Sequence, residues 1–377
     1  MSPTDPADPV AARAGAVLTI DSGAIRSNYR RLCQELGAVE CAVVVKADAY
    51  GLGIAPVARA LAGAGAKKFF VAHLGEAITL REATREALPA AEVFVLNGLA
   101  AGPAADFVGH DVRPVLNSLG EVDAWRAAAE NAGRVLPAAL HIDTGMSRLG
   151  LPTDELDVLA DGHARLSGID LRIIMSHLAC AEEVDHPLNA RQLDAFRAAS
   201  ARLPAAPRSL ANSSGIFLGR PYHFDLARPG VALYGVNPTP DKPNPMTQVV
   251  RLQGRILQVR EIDASQTVGY GATHRVTERT RIATVAVGYA DGYLRSLSNR
   301  GSAWIGDLRV PVLGRVSMDL ITLDVTGAAA EAVRPGMFVD LIGPHHDVDD
   351  VAAAAGTIGY EILTALGSRY HRVIVGT

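Results

Sequence analysis

Short apolar runs rich in β-branched and aromatic residues recur through the first two thirds of the chain, and Ala/Leu-rich stretches with helical periodicity separate them. The runs are Ala42–Val45, Phe69–Ala72, Val93–Leu96, Pro114–Leu116, Ala139–Ile142, Ile173–Met175, Ser209–Ala211 and Asp225–Ala227. This alternation predicts βα units on a parallel sheet. Eight units in about 220 residues match a (β/α)8 TIM barrel, with a doubly wound sheet as the alternative. Ahead of the first run, Ala24–Leu36 places Ile25, Tyr29, Leu32, Cys33 and Leu36 on one helical face. Asp21 and Ser22 are the candidates to cap that helix.

After Tyr234 the pattern changes. Asn237–Pro245 holds four prolines in nine residues, and alternating β-branched runs follow at Val249–Val259, Arg281–Val287, Ala303–Val312 and Met337–Ile342. These predict a smaller, mainly-β domain, with a last helix near Gly359–Leu366. The expected organisation is a loose tail over residues 1–14, a barrel over 15–238 and a C-terminal β domain over 239–377. The strand at 16–20 is free to pair with the second domain. The tail has no basic start followed by an apolar stretch, so it does not read as a secretory signal.

Composition narrows the function classes. With 377 residues, 36 basic against 40 acidic and 49% hydrophobic, the chain has material for a large core and no basic field for nucleic-acid backbones. Its longest apolar stretch, Val93 to Ala105, is interrupted by Asn97 and Pro103 and is too short to span a bilayer. Cys33, Cys41 and Cys180 are odd in number and lack CxxC spacing. That argues against a disulfide framework or zinc site and fits a reducing cytoplasm. His345, His346, Asp347, Asp349 and Asp350 read as a solvated loop rather than a metal site, because no regular spacing converges their side chains.

Barrel enzymes work at the C-terminal ends of their strands. The polar residues that follow the predicted runs are Lys46, Arg148, His177, Asn212, Ser213, Arg228 and Gly230, all at one mouth. A lysine closing an apolar strand is desolvated, which favours the neutral amine and makes it a nucleophile for a carbonyl; alone, it would more often snorkel to water. The small residues of Asn212-Ser213-Ser214-Gly215 and Arg228-Pro229-Gly230-Val231 let backbone N–H groups approach an anion. An amine that traps aldehydes, facing a phosphate cradle, suggests pyridoxal phosphate. Asp21-Ser22-Gly23 and Asp143-Thr144-Gly145 resemble aspartic-peptidase motifs, yet Asp21 reads as a helix cap and the chain alternates α and β. Gly51-Leu52-Gly53 lacks the third glycine of a dinucleotide fingerprint.

Five motifs then carry a resemblance: Ala42 to Gly53 around Lys46, Ile142 to Gly150 around Arg148, Arg228-Pro229-Gly230, Val287 to Gly292, and Gly314 to Asp319. From about Val17 onward the chain resembles the alanine racemases, homodimeric fold-type III pyridoxal-phosphate enzymes with a barrel and a β domain. The resemblance implies that Lys46 bears the cofactor and acts as one base. It makes Tyr270, donated by the partner subunit, the second. It places Tyr50, Ser213, Gly230, Val231 and Tyr360 around the phosphate with Asn212 beside them, and Arg228 at the pyridine nitrogen. Arg148 and the backbone of Met318 match contacts to the substrate carboxylate, His177 packs near the cofactor, and Tyr289, Asp319 and Tyr360 line the entrance. An ordinary phenol titrates near ~10, so a base tyrosine needs a cationic neighbour, with His177 and the mouth arginines as candidates. The implied role is supply of D-alanine for peptidoglycan, or alanine catabolism. A serine or broad-specificity racemase is the alternative. A related decarboxylase is disfavoured by the missing triple-glycine loop and by arginine at the pyridine; a carrier of the barrel alone would lack a counterpart of Tyr270. One departure stands out. His141 replaces a lysine, sometimes carbamylated, that supports the matching arginine in many members, so His141→Ala is expected to weaken amino-acid binding.

Overall fold

A computed structural model describes residues 13–86 and 88–376. Residues 1–12 of the expected tail lie outside the described residues. The chain divides into two compact units. One comprises Ile25–Leu233 with Asn237–Thr247; the other comprises the residues up to Ala24, Tyr234–Val236 and Gln248 onward.

Strand β1, Ala16–Asp21, belongs to the second unit. Strands β2 to β10 build the first: Glu40–Cys41, Val43–Val44, Lys68–Val71, Glu92–Val95, Arg113–Leu116, Leu136–His141, Ile169–Met175, Arg208–Ser209 and Leu226–Ala227. β3 to β9 form one parallel sheet in chain order, while β2, one residue ahead of β3, pairs with β10. Arg228 N donates to Ala211 O at 2.9 Å, and Asp225 N to Arg208 O at 3.0 Å. These bonds tie β10 to β9, so the sheet curls back on itself with β2 and β3 as one strand, the expected barrel. Phe69, Phe70, Val93, Phe94 and Val95 are fully buried. Their runs are continuous rather than alternating because both faces of a parallel sheet are covered.

Boundaries shifted most where charge interrupts the apolar pattern. The strand expected at Ile173–Met175 begins at Ile169, since Arg172 and Asp170 fall within it and pair with each other at 3.3 Å on the exposed face. The capping carboxylate is Asp21, whose Oδ1 accepts from Ala24 N at 2.9 Å; Ser22 Oγ instead donates to Val375 O.

The second unit holds β11 to β19: Val250–Ile262, Thr267–Val268, His274–Arg275, Thr280–Val285, Ser302–Ile305, Leu308–Pro311, Ile321–Asp324, Phe338–Ile342 and His371–Val375. Its main sheet runs β16-β15-β18-β11-β1-β19, with β14 on β11 and β17 on β14. β1 lies antiparallel to β11, pairing Leu18 with Leu252, and parallel to β19. The single run expected at Ala303–Val312 is the β15–β16 hairpin. The expected loop at His345–Asp350 opens a helix, Val348–Ala355, in which Asp347 accepts from Asp350 N and Asp350 from Asp347 N. Among the described residues no helix is long and apolar enough to cross a membrane.

Candidate active site

Lys46 leaves the C-terminal end of β3 and enters a turn of unusual hand. Ala47, Asp48, Ala49 and Tyr50 all have φ between +52° and +56°. The turn is closed by Ala49 N on Val45 O at 3.0 Å and Gly51 N on Ala47 O at 2.7 Å. A left-handed turn of L-residues costs roughly 1–2 kcal/mol per residue. Its compensation comes from Glu76, which the sequence reading missed. One Glu76 carboxylate oxygen accepts from Ala47 N and Asp48 N at 2.5 and 3.3 Å. The other accepts from Ala72 N and His73 N at 2.8 and 3.1 Å. Burial lowers the Lys46 amine from its ordinary value; Arg148 adds to the effect and Glu76 opposes it. Lys46 is therefore disposed to be a neutral nucleophile or base.

The reversed turn also directs Tyr50 into the interior, where it is 6% exposed. A Cβ on Gly230 would lie 2.3 Å from the Tyr50 hydroxyl oxygen, so only glycine fits there. Ser213 Oγ accepts from Gly230 N at 3.0 Å and Ala232 N at 3.2 Å, joining the loops after β9 and β10. Asn212 caps the short helix Ser213–Phe217 by accepting from Gly215 N at 2.8 Å. Beside it, the buried hydroxyl of Ser214 has no partner. These small residues and the unpaired donor suit a phosphate group.

Arg228 is 4% exposed. Its guanidinium donates to Ser209 Oγ and, at 2.6 Å, to Ser176 O, and lies 6.0 Å from the ring centre of Phe70. Among the described residues no carboxylate pairs with it. Burial lowers it to about 9, so it stays cationic at neutral pH. A buried cation without an anion is costly unless the site uses its charge.

Asp143, at the end of β7, accepts from Gly145 N, Met146 N and Ser147 N at 2.9 to 3.1 Å, shaping the loop that carries Arg148. Both peptidase-like aspartates are thus backbone acceptors. At the same strand end, Asn117 Nδ2 donates to Leu96 O and Val115 O, which turns Oδ1 toward His141 Nδ1 at 2.9 Å. His141 Nδ1 is therefore the donor, and Nε2 keeps the lone pair. Burial, followed by Arg228, lowers His141 to about 4, so the ring is neutral. His177 is held well below its usual value by burial, then by Arg228, Arg148, His141 and Lys46. A neutral His177 corrects its proposed part as a cation acting on a tyrosine; the arginines remain.

Lys46, Tyr50, His141, Arg148, His177, Asn212, Ser213, Arg228, Gly230 and Val231 all belong to the barrel unit. Tyr270, Tyr289, Met318, Asp319 and Tyr360 belong to the other. There, Tyr270 is 72% exposed on the turn between β12 and β13. A Cβ on Gly288 would meet the carbonyl oxygens of Met318 and Ser317 at 2.3 and 2.4 Å. These two carbonyls accept from Ala290 N and Tyr289 N, which docks the Gly314–Asp319 loop on the Val287–Gly292 loop. The Met318 N–H has no acceptor among the described residues. Asp319 is held by Arg369, whose Nη1 donates at 2.7 Å; the same guanidinium donates to buried Asp291 at 2.6 and 3.1 Å. Tyr360 stands in the first turn of the helix Gly359–Ala365.

The sequence matches the family models for the alanine racemase N-terminal domain over residues 20–238 and C-terminal domain over 249–374. The chain belongs to the alanine racemase family. It is 52% identical over 365 residues to a catabolic alanine racemase of Mesorhizobium japonicum, covering 97% of this chain and 94% of that protein. It is similar in structure to the alanine racemase of Bartonella henselae with covalently bound pyridoxal phosphate, with a TM-score of 0.90 and 41% identity over 96% of this chain and all of that one. The alanine racemase of Streptomyces coelicolor gives a TM-score of 0.92 at 33% identity over 98% of this chain and all of that one. Alanine racemases are isomerases.

Proposed function

We propose that this family member interconverts L- and D-alanine in a homodimer, with Lys46 of one protomer and Tyr270 of the other as opposed bases around pyridoxal phosphate. The observation that supports it best is the buried, acid-free Arg228 in the same mouth as the desolvated Lys46. The mouth fits the cofactor: Lys46 can hold its aldehyde carbon, Ser213, Ser214, Gly230 and Tyr50 its phosphate, and Arg228 its ring nitrogen. When bound, pyridoxal phosphate supplies a carbonyl for the amino group and an electron sink for Cα.

The protein's part is to manage protons and orientation. Lys46, whose pKa burial lowers, takes or returns the Cα proton on one face. Tyr270, exposed on its turn, does so on the opposite face once presented to a second chain. Arg148 and the free Met318 N–H bind the carboxylate, and neutral His141 offers Nε2 to hold Arg148 in place of a carbamate. Arg228, cationic at neutral pH, keeps the ring nitrogen unprotonated and so limits side transamination.

Mixing Lys46→Ala with Tyr270→Phe tests both the bases and the dimer. Each variant alone should be inactive in L-alanine optical inversion and in Cα deuterium exchange from D2O. Random mixed dimers regain one complete site in half of the population, so about a quarter of wild-type activity should return. No recovery on mixing would place both bases within one chain. Wild-type rates from either variant would refute the base assignment.

A further inference from the structure

A second cavity, of about 570 Å³, opens at the N-terminal rim of the barrel strands, away from the strand ends that carry Lys46 and Arg228. It is lined by Arg208 at the start of β9, by Arg220, His223 and Phe224 ahead of β10, by Arg197 of the helix Pro187–Ser200 and by Leu36. Three guanidiniums thus line it and no carboxylate does. Arg197 and Arg208 have neighbours outside the lining, Asp194 and Asp225, each at 3.7 Å. These contacts are too long for good hydrogen bonds, and their half-exposed side chains neutralise little. Arg220 has no ion pair among the described residues.

His223 is 3% exposed and donates from Nε2 to Ile216 O at 2.7 Å, leaving a buried Nδ1 with no partner. That nitrogen is shielded from the cavity, so His223 contributes to the wall through the rest of its ring. Phe224, with φ at +50°, is held edge-on against Phe196 at 5.0 Å, and the Arg208 guanidinium lies 5.2 Å from its ring centre. A bulky residue at positive φ is strained, and such strain collects at ligand sites.

We propose that this cavity binds a phosphomonoester with an aromatic or apolar body. Arg220, Arg208 and Arg197 take the phosphoryl oxygens, as planar guanidiniums do. The body lies between Phe224 and Leu36. The volume is that of a small-molecule site.

Calorimetric titration of the holoenzyme, whose cofactor keeps the other phosphate cradle filled, tests this at fixed ionic strength with phenyl phosphate, inorganic phosphate and phenol. Saturable binding of phenyl phosphate, weaker binding of phosphate and none of phenol is expected, with the cofactor absorption unchanged. Arg220→Ala, at an exposed position, should lower phenyl phosphate affinity about tenfold or more while racemisation stays at the wild-type rate. Absence of saturation in the wild type, or equal affinity in Arg220→Ala, would overturn the site. Phosphate binding as tightly as phenyl phosphate would overturn the assignment of its body.

Discussion

The two units hold their site residues in opposite ways. In the barrel, the chain itself restrains them: Glu76 pins the turn after Lys46, Asn117 orients His141, and Ser209 and Ser176 orient Arg228. In the β unit the backbone is equally well fixed, yet Tyr270, Met318 and Tyr289 are 72%, 53% and 43% exposed. One set forms a socket and the other a projection. On the proposed assignment such an exposed group works against a second chain, and the mixing experiment tests that pairing directly.

Substitutions can break or sharpen that contrast. The largest effect should come from losing a base: Lys46→Ala or Tyr270→Phe removes racemisation by about three orders of magnitude or more, and Tyr270→Phe keeps the cofactor spectrum. Next comes Glu76→Ala, which strands four amide donors and releases the reversed turn. It should cost about 2–4 kcal/mol in thermal stability and lower kcat by roughly tenfold to a hundredfold. Because Glu76 raises the Lys46 pKa, Glu76→Gln should move the acid limb of the kcat profile, which reports the substrate-bound enzyme, to lower pH. An unmoved limb would confine Glu76 to architecture.

Smaller effects follow at His141. His141→Ala should raise KM for alanine about tenfold with little change in kcat, and an unchanged KM would remove His141 from the support of Arg148. Its low pKa also has a stability consequence. The folded value of about 4 lies below the ordinary 6.5, so the unfolded chain binds the proton first as pH falls. The stability from a neutral His141 is complete above pH 6.5 and is lost toward pH 4, on the order of 3 kcal/mol in all. Denaturant melts of His141→Gln should be flatter over that window. The smallest change expected is at Arg369, half exposed: Arg369→Ala loosens Asp319 and leaves buried Asp291 its bond from Gly288 N, costing about 1 kcal/mol and a few-fold in KM.

The barrel and most strand ends were legible because parallel strands buried on both faces read as continuous apolar runs, and Lys46, Arg148 and Arg228 follow such runs directly. Strand starts were less so: Leu136 and Ile169 pair with each other, but charged or small residues break the local pattern there. β17 was missed because Ile321–Asp324 is too short to show its own alternation. Glu76 could have been noticed as an acid in the first turn of a helix, yet its bonds to Ala47 and Asp48 depend on the adjacency of β3 and β4 across about thirty residues. Asn117, Ser176 and Ser209 gave no signal, since an amide or hydroxyl reveals its partner only in three dimensions. The electrical state of His177 was likewise hidden, because it follows from burial and then from the cations around the ring.

The mirror-handed turn has a temporal side. Ala47 to Tyr50 have no intrinsic preference for that hand, and the carboxylate that imposes it is made 26 or more positions later and must first dock with its strand. A ribosome-bound fragment ending before Glu76 would carry Lys46 as an ordinary solvated side chain. On the proposed assignment, the amine meets its desolvated surroundings only as the neighbouring βα unit locks into place, so assembly would set when the polypeptide can take up its aldehyde.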